Sequence, residues 1–355
     1  MNKKIKGIVF AYQPADESRE DTAWQLAMIR DLGFGWMRMH VSFPWADRMY
    51  GTLTEAYLKE RESIIETHRA GFEIMVTTPG LGAYRFDEAL QKTRWMESFP
   101  AFTGEIGTPE FYENVRKTCA FICEDLGENA GIYWQCMNEI DNPVFASHYT
   151  DEIVTKTARA SADGIVQANP EARCGINLSR YCEEALRVAD LCYAPGHHFY
   201  YLGDDQYFGS WQPGDVEDWV EVIDKLYERY RLPVLANEWG YSSGGEFSTE
   251  HADPKLVPFG LPEECFTQKW YNQAQGGHTA AAQAAYIEKG LRIFEEHPHC
   301  IGSFLFCWRD AYKCYHCGGE TCPSEDYWGI VTKDIRKKPS YEAVKRVIQE
   351  MESQA

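Results

Sequence analysis

Two glutamates, Glu139 and Glu238, each close a short apolar run in this 355-residue chain. The first ends Gly131-Ile132-Tyr133-Trp134-Gln135-Cys136-Met137-Asn138-Glu139, and the second ends Pro233-Val234-Leu235-Ala236-Asn237-Glu238. A carboxylate at the mouth of a buried strand is costly unless it finds a partner or does chemistry. The roughly 100 residues between them hold about three strand–helix units of about 30 residues each. The pair is therefore expected three strands apart on one rim of a parallel sheet, facing a common substrate. Two carboxyl groups so placed are the apparatus of glycoside hydrolysis, and they need no cofactor for it.

Neighbouring strand ends carry further candidates. Arg38, in Trp36-Met37-Arg38-Met39-His40, falls in an inward layer near the rim. His197-His198-Phe199-Tyr200 offers a histidine and a phenol, and Phe304-Leu305-Phe306-Cys307-Trp308 ends in an aromatic. A carboxylate acting as nucleophile must stay ionised, which calls for a fixed cation such as Arg38 and a hydroxyl donor such as Tyr200. Each signal alone is common, and their agreement in order and spacing gives them weight.

A second cluster lies just beyond the last of these. Most of the twelve cysteines read as buried thiols in strands and helices. Cys314-Tyr315-His316-Cys317-Gly318-Gly319-Glu320-Thr321-Cys322 differs, because a Cys-x2-Cys pair with a third Cys nearby has the spacing of a zinc knuckle. Cys314, Cys317 and Cys322 are thus candidate ligands of a structural zinc ion, with Cys265, His316 or another loop residue as the fourth. The alternative is a set of reduced thiols in a long loop.

The elements that position these residues alternate between strand and helix. Strands are expected over 7–11, 36–40, 72–77, 131–137, 174–178, 194–199, 233–237 and 302–307. Amphipathic helices are expected over 22–31, 54–70, 109–126, 151–169, 181–188, 216–230, 278–297 and 340–351. Gly33 and Gly71 stand where helix C-caps would, and Thr108-Pro109-Glu110 reads as a helix start. Eight such units make a single (β/α)₈ TIM barrel spanning 1–355, whose usual length is about 250 residues. The surplus falls in loops at 79–107, 201–215, 240–277 and 309–335, on the side where such a barrel keeps its active site. An open doubly wound sheet is disfavoured, because Tyr12-Gln13-Pro14-Ala15 stands where a Gly-rich phosphate loop would follow the first strand.

This constellation resembles clan A of the glycoside hydrolases, the retaining (β/α)₈ enzymes, on Asn138-Glu139, Glu238-Trp239-Gly240, Arg38 and Trp308. His198-Phe199-Tyr200 resembles the His-x-Tyr of family five, although Met75-Val76-Thr77-Thr78 lacks the histidine often found there. A family two barrel without its accessory domains fits as well. The resemblance implies Glu238 as nucleophile and Glu139 as acid/base, with Asn138 on the sugar 2-hydroxyl and Trp308 under the sugar ring. It implies a β-linked carbohydrate substrate, and the long loops suggest exo action on short chains, with an endo-acting glycanase or a non-catalytic binding barrel as alternatives. A metal-dependent amidohydrolase would need a His-x-His on the first strand, where Val9-Phe10-Ala11-Tyr12 offers none.

A net charge of −19 argues against nucleic acid or an anionic membrane as partner. The apolar run behind Lys3, Lys4 and Lys6 is too short for a signal peptide, so a cytoplasmic location is expected. Nothing in the sequence sets an oligomeric state.

Overall fold

The computed structural model describes residues 4–13, 17–258 and 260–354. Eight parallel strands close into a barrel: β1 (Ile5–Val9), β2 (Trp36–His40), β3 (Glu73–Thr77), β4 (Tyr133–Gln135), β5 (Arg173–Leu178), β6 (Phe199–Gln206), β7 (Val234–Trp239) and β8 (Cys300–Leu305). They lie in sequence order around the ring, and β8 closes onto β1 with Ile5 opposite Gly302. The helices α1 (Arg19–Asp31), α2 (Glu55–Arg69), α3 (Pro109–Leu126), α4 (Asp151–Ala168), α5 (Glu183–Cys192), α6 (Trp219–Tyr230), α7 (Ala280–Glu296) and α8 (Pro339–Gln354) follow the strands one by one. Among the described residues no helix is long and apolar enough to cross a membrane.

Local chemistry accounts for the helix boundaries. Thr54, Thr108, Thr150 and Thr279 each accept a hydrogen bond from a first-turn backbone N–H, which fixes the starts of α2, α3, α4 and α7. Gly33 and Gly71 turn the chain after α1 and α2 at φ of 95° and 92°.

The barrel interior has two zones. Towards the strand starts, Ile5, Met75, Tyr133, Tyr201, Leu235 and Phe304 form an apolar plug. Small residues admit the large ones: a Cβ on Gly175 would lie 2.4 Å from the Tyr201 ring. Towards the strand ends the inward residues turn polar, with Arg38, Gln135, Asn177, Asp205, Asn237 and Glu238 all buried.

Seven strands fall within a few residues of expectation, and the sixth does not. The expected strand at 194–199 is instead the approach to β6, which runs Phe199–Gln206. Its stretch Gly203-Asp204-Asp205-Gln206 reads as loop by composition, yet every one of these residues is buried and paired with β5 or β7. The shift has direct consequences for the site.

Candidate active site

Glu238 lies near the end of β7 with both carboxylate oxygens engaged. Arg38, projecting from β2, donates through Nη1 to Oε1, and the Tyr207 hydroxyl, one residue past β6, donates to Oε2. Arg38 is itself fixed by Gln135 Oε1 at 2.7 Å and Asn138 Oδ1 at 2.5 Å. Burial works against its charge, yet the carboxylates of Glu238 and Asp205 together hold its pKa above the ordinary value. Burial, and then the charge on Glu238, push the Tyr207 phenol well up, so it stays protonated and able to donate.

Glu139 is reached by a strained segment beyond β4. Met137 and Glu139 take left-handed φ values of 67° and 38°, conformations that cost about 1–3 kcal/mol each. The strain is held by hydrogen bonds from the surrounding strands. Met137 N donates to Thr78 Oγ1 at 3.0 Å, and Glu139 N donates to Asn177 Oδ1 at 2.8 Å. Asn142 Nδ2 donates to Glu139 Oε2 at 2.8 Å. Burial and the neighbouring Glu238 charge push the Glu139 carboxyl up to about 8, against the pull of Asn142. The two glutamates therefore differ in a functional sense. One is clamped by a cation and a phenol, while the other retains its proton at neutral pH.

A third acid completes the cluster. Asp205 on β6 pairs in register with Glu238, and one carboxylate oxygen from each of Glu139, Asp205 and Glu238 lies within 4.8 Å of the others. Burial first, then Glu238 and Glu139, drive its pKa well upward. Three acids this close call for positive charge or protons, and Arg38 together with the raised carboxyls supplies both. Asp205 Oδ2 accepts from Asn177 Nδ2, so it also braces the residue that holds the Glu139 backbone. Sequence reasoning missed Asp205 and Tyr207 because it placed both in a loop. The available signal was a Gly-Asp-Asp-Gln directly behind the apolar Tyr200-Tyr201-Leu202.

Arg38, Asn138, Glu139 and Glu238 are brought together as their spacing implied; three other expected site residues are not. His198 and Tyr200 sit at the start of β6, at the opposite end of the barrel. His198 pairs with Asp163 on α4, and Tyr200 lies half-exposed against Arg173 and Tyr133, which begin β5 and β4. Displacement of the strand register explains both misplacements, and the phenol at Glu238 is Tyr207. Trp308 points outward into the core between barrel and helices, where its Nε1 donates to Gln25 Oε1 at 2.9 Å. Among the aromatics that do line the cavity are Tyr12, Tyr207, Trp211, Phe306 and Trp328.

No protein-family model matches the sequence, and no curated protein matches it. Solved structures do. A family 53 glycoside hydrolase catalytic domain from Ignisphaera aggregans superposes with a TM-score of 0.64 at 16% identity, covering 98% of this chain and 96% of that one. A GH5_18 protein from Streptomyces cattleya, in complex with Manβ1-4GlcNAc, gives 0.65 at 13% identity, covering 99% and 82%. A GH2 β-galacturonidase from Eisenbergiella tayi gives 0.59 at 15% identity, but this chain spans only 51% of its length. The fold is that of glycoside hydrolase catalytic barrels.

Within that fold the cavity above the strand ends has a volume of about 1340 Å³. One side is a wall of three long loops. A hairpin after β3 pairs Gly82–Asp87 with Lys92–Glu97 and reaches the loop after β8. Phe86 N donates to Tyr315 O at 3.1 Å, and Thr93 Oγ1 donates to His316 O at 2.6 Å. The Tyr84 ring packs on Gly260 of the loop after β7, so tightly that a Cβ there would sit 2.2 Å from it. Because β3 and β7 are diametrically opposed in an eight-stranded ring, the wall spans the barrel mouth. Cys314, Cys317 and Cys322 lie inside this wall and meet Cys265.

Proposed function

We propose that the protein is a retaining β-glycoside hydrolase acting from the chain end on short β-linked oligosaccharides or glycosides. The observation that carries this reading is the asymmetric pair at the cavity floor. Glu139 and Glu238 carry carboxylate oxygens within 4.8 Å of each other, one carboxyl raised to about 8 and the other held by Arg38 and Tyr207. Such closeness suits direct attack, whereas an inverting pair stands about 6.5–9.5 Å apart to admit a water.

In the first step a Glu238 oxygen bonds to the anomeric carbon as the glycosidic C–O bond breaks, and Glu139 gives its proton to the departing oxygen. Forming the ester removes the Glu238 charge that helped raise the Glu139 pKa. The Glu139 carboxylate can then take a proton from water as that water attacks the anomeric carbon and Glu238 leaves. Asn138, whose Oδ1 is held by Arg38, lines the cavity where a sugar 2-hydroxyl would lie. The cavity exceeds the roughly 300–1,000 Å³ of ordinary small-molecule pockets, which leaves room for more than one sugar unit. A wall across the mouth favours chain-end action.

Aryl β-glucosides, galactosides, mannosides, xylosides and uronides form a suitable first panel, mannosides and uronides being favoured by the ligands of the structural neighbours. Hydrolysis should give the β-anomer first by NMR, and a 2-deoxy-2-fluoro glycoside should label Glu238 in a peptide map. An inverted product would overturn the mechanism. Sugar binding with no turnover across the panel would instead indicate a non-catalytic barrel.

A further inference from the structure

We propose that Cys265, Cys314, Cys317 and Cys322 form a tetrathiolate site for one structural zinc ion that staples the cavity wall together. Cys265 comes from the short helix Glu263–Thr267 after β7, and the other three come from the loop after β8. All four sulfurs lie within 4.8 Å of one another, and none is in a disulfide. Cys265 Sγ stands 3.7 Å from both Cys314 Sγ and Cys322 Sγ. Zinc–sulfur bonds of about 2.3 Å in a tetrahedron put the sulfurs about 3.8 Å apart. The observed spacing is therefore that of a coordination shell, and far longer than the roughly 2.05 Å of a disulfide.

The surroundings fit a metal as well. Gly318 at φ 73° turns the chain back, with Gly318 N on Cys314 O at 2.9 Å and Cys314 N on Gly319 O at 2.7 Å. That turn aims Cys314 and Cys317 at one point. Gln268 Nε2 lies 4.0 Å from Cys317 Sγ, a donor directed at the sulfur. Between the ligands the chain carries the adjacent glycines Gly318 and Gly319, the exposed Glu320 and Thr321 and no aliphatic side chain, so burial alone gives this stretch little order. Tyr315 and His316, interleaved with the ligands, are the residues on which the hairpin after β3 docks. Metal at this point would join all three loops of the wall, two by direct ligation and the third through that docking. Binding releases the thiol protons, and neither glutamate takes part.

The test begins with full-length protein purified without chelator from zinc-containing medium. Elemental analysis should find one zinc per chain. Replacement by cobalt should give the thiolate-to-cobalt charge-transfer band and the visible bands of a tetrahedral tetrathiolate. Cys265→Ser should lose the metal, while Cys182→Ser, at the start of α5 and outside the four-sulfur cluster, should keep it. Chelation with a mercurial present should lower Tm and raise KM before it lowers kcat. That kinetic arm rests on the glycosidase reading; the metal and optical arms do not. Protein with no stoichiometric metal, or a cobalt adduct without the thiolate band, would overturn the proposal even if Cys265→Ser failed to fold.

Discussion

At the residue scale, the proposed division of labour between Glu139 and Glu238 should be visible in a pH profile. A general acid works only while protonated, and Glu139 loses its proton at about 8. The kcat/KM of the free enzyme should therefore fall as pH rises through about 8, and Glu139→Gln should abolish that limb. Glu139→Ala should spare substrates with acidic leaving groups, and azide should rescue it; equal losses on activated and unactivated aglycones would reverse the assignment. Tyr207→Phe removes a hydrogen bond to a charged oxygen and should lower kcat/KM about tenfold to a hundredfold. Tyr200→Phe, at the wrong end of the barrel, should change it by less than about twofold. A reversed order in these two variants would restore the original placement. Glu139, Glu238, Arg38 and Asn138 were legible because each follows or sits in a run whose apolar character marks a strand.

At the element scale, β6 shows where periodicity stops being informative. A barrel strand that feeds an active site is apolar at its start and polar at its end. Its first half reads as a strand and its second half as a loop, although both are buried. For β6 the polar half carries Asp204, Asp205 and Gln206, and reading it as loop moved the expected strand end back to Phe199. Asp205 offers a test of its bracing role. Asp205→Asn keeps an acceptor for Asn177 and should retain most of kcat, whereas Asp205→Ala frees Asn177 and should lower kcat more than it raises KM. The end of β8 misled in another way, because strand alternation was carried past Leu305 and Trp308 faces the helices instead. Trp308→Phe would leave the buried Gln25 acceptor unpaired and should cost about 1–3 kcal/mol in unfolding free energy with KM unchanged.

At the scale of the whole molecule, the barrel was legible from eight alternating units, but the wall was not. Loop length announced that three segments were long, and only tertiary contacts show that they meet. If the wall closes one end of the cavity and the protein acts as proposed, it should release monosaccharide from short chains at once. Fast loss of viscosity from a long polysaccharide, without early monosaccharide, would show that substrate threads through an open cleft.

The wall is also built from different segments than the acid cluster beneath it. The hairpin after β3 docks on the loop after β8 at Tyr315 and His316, while Arg38, Gln135, Asn177, Tyr207 and Glu238 are locked among the strand ends. On the proposed reading, changes in the hairpin at 82–97 would alter which chain lengths enter while leaving the acid cluster at the cavity floor in place.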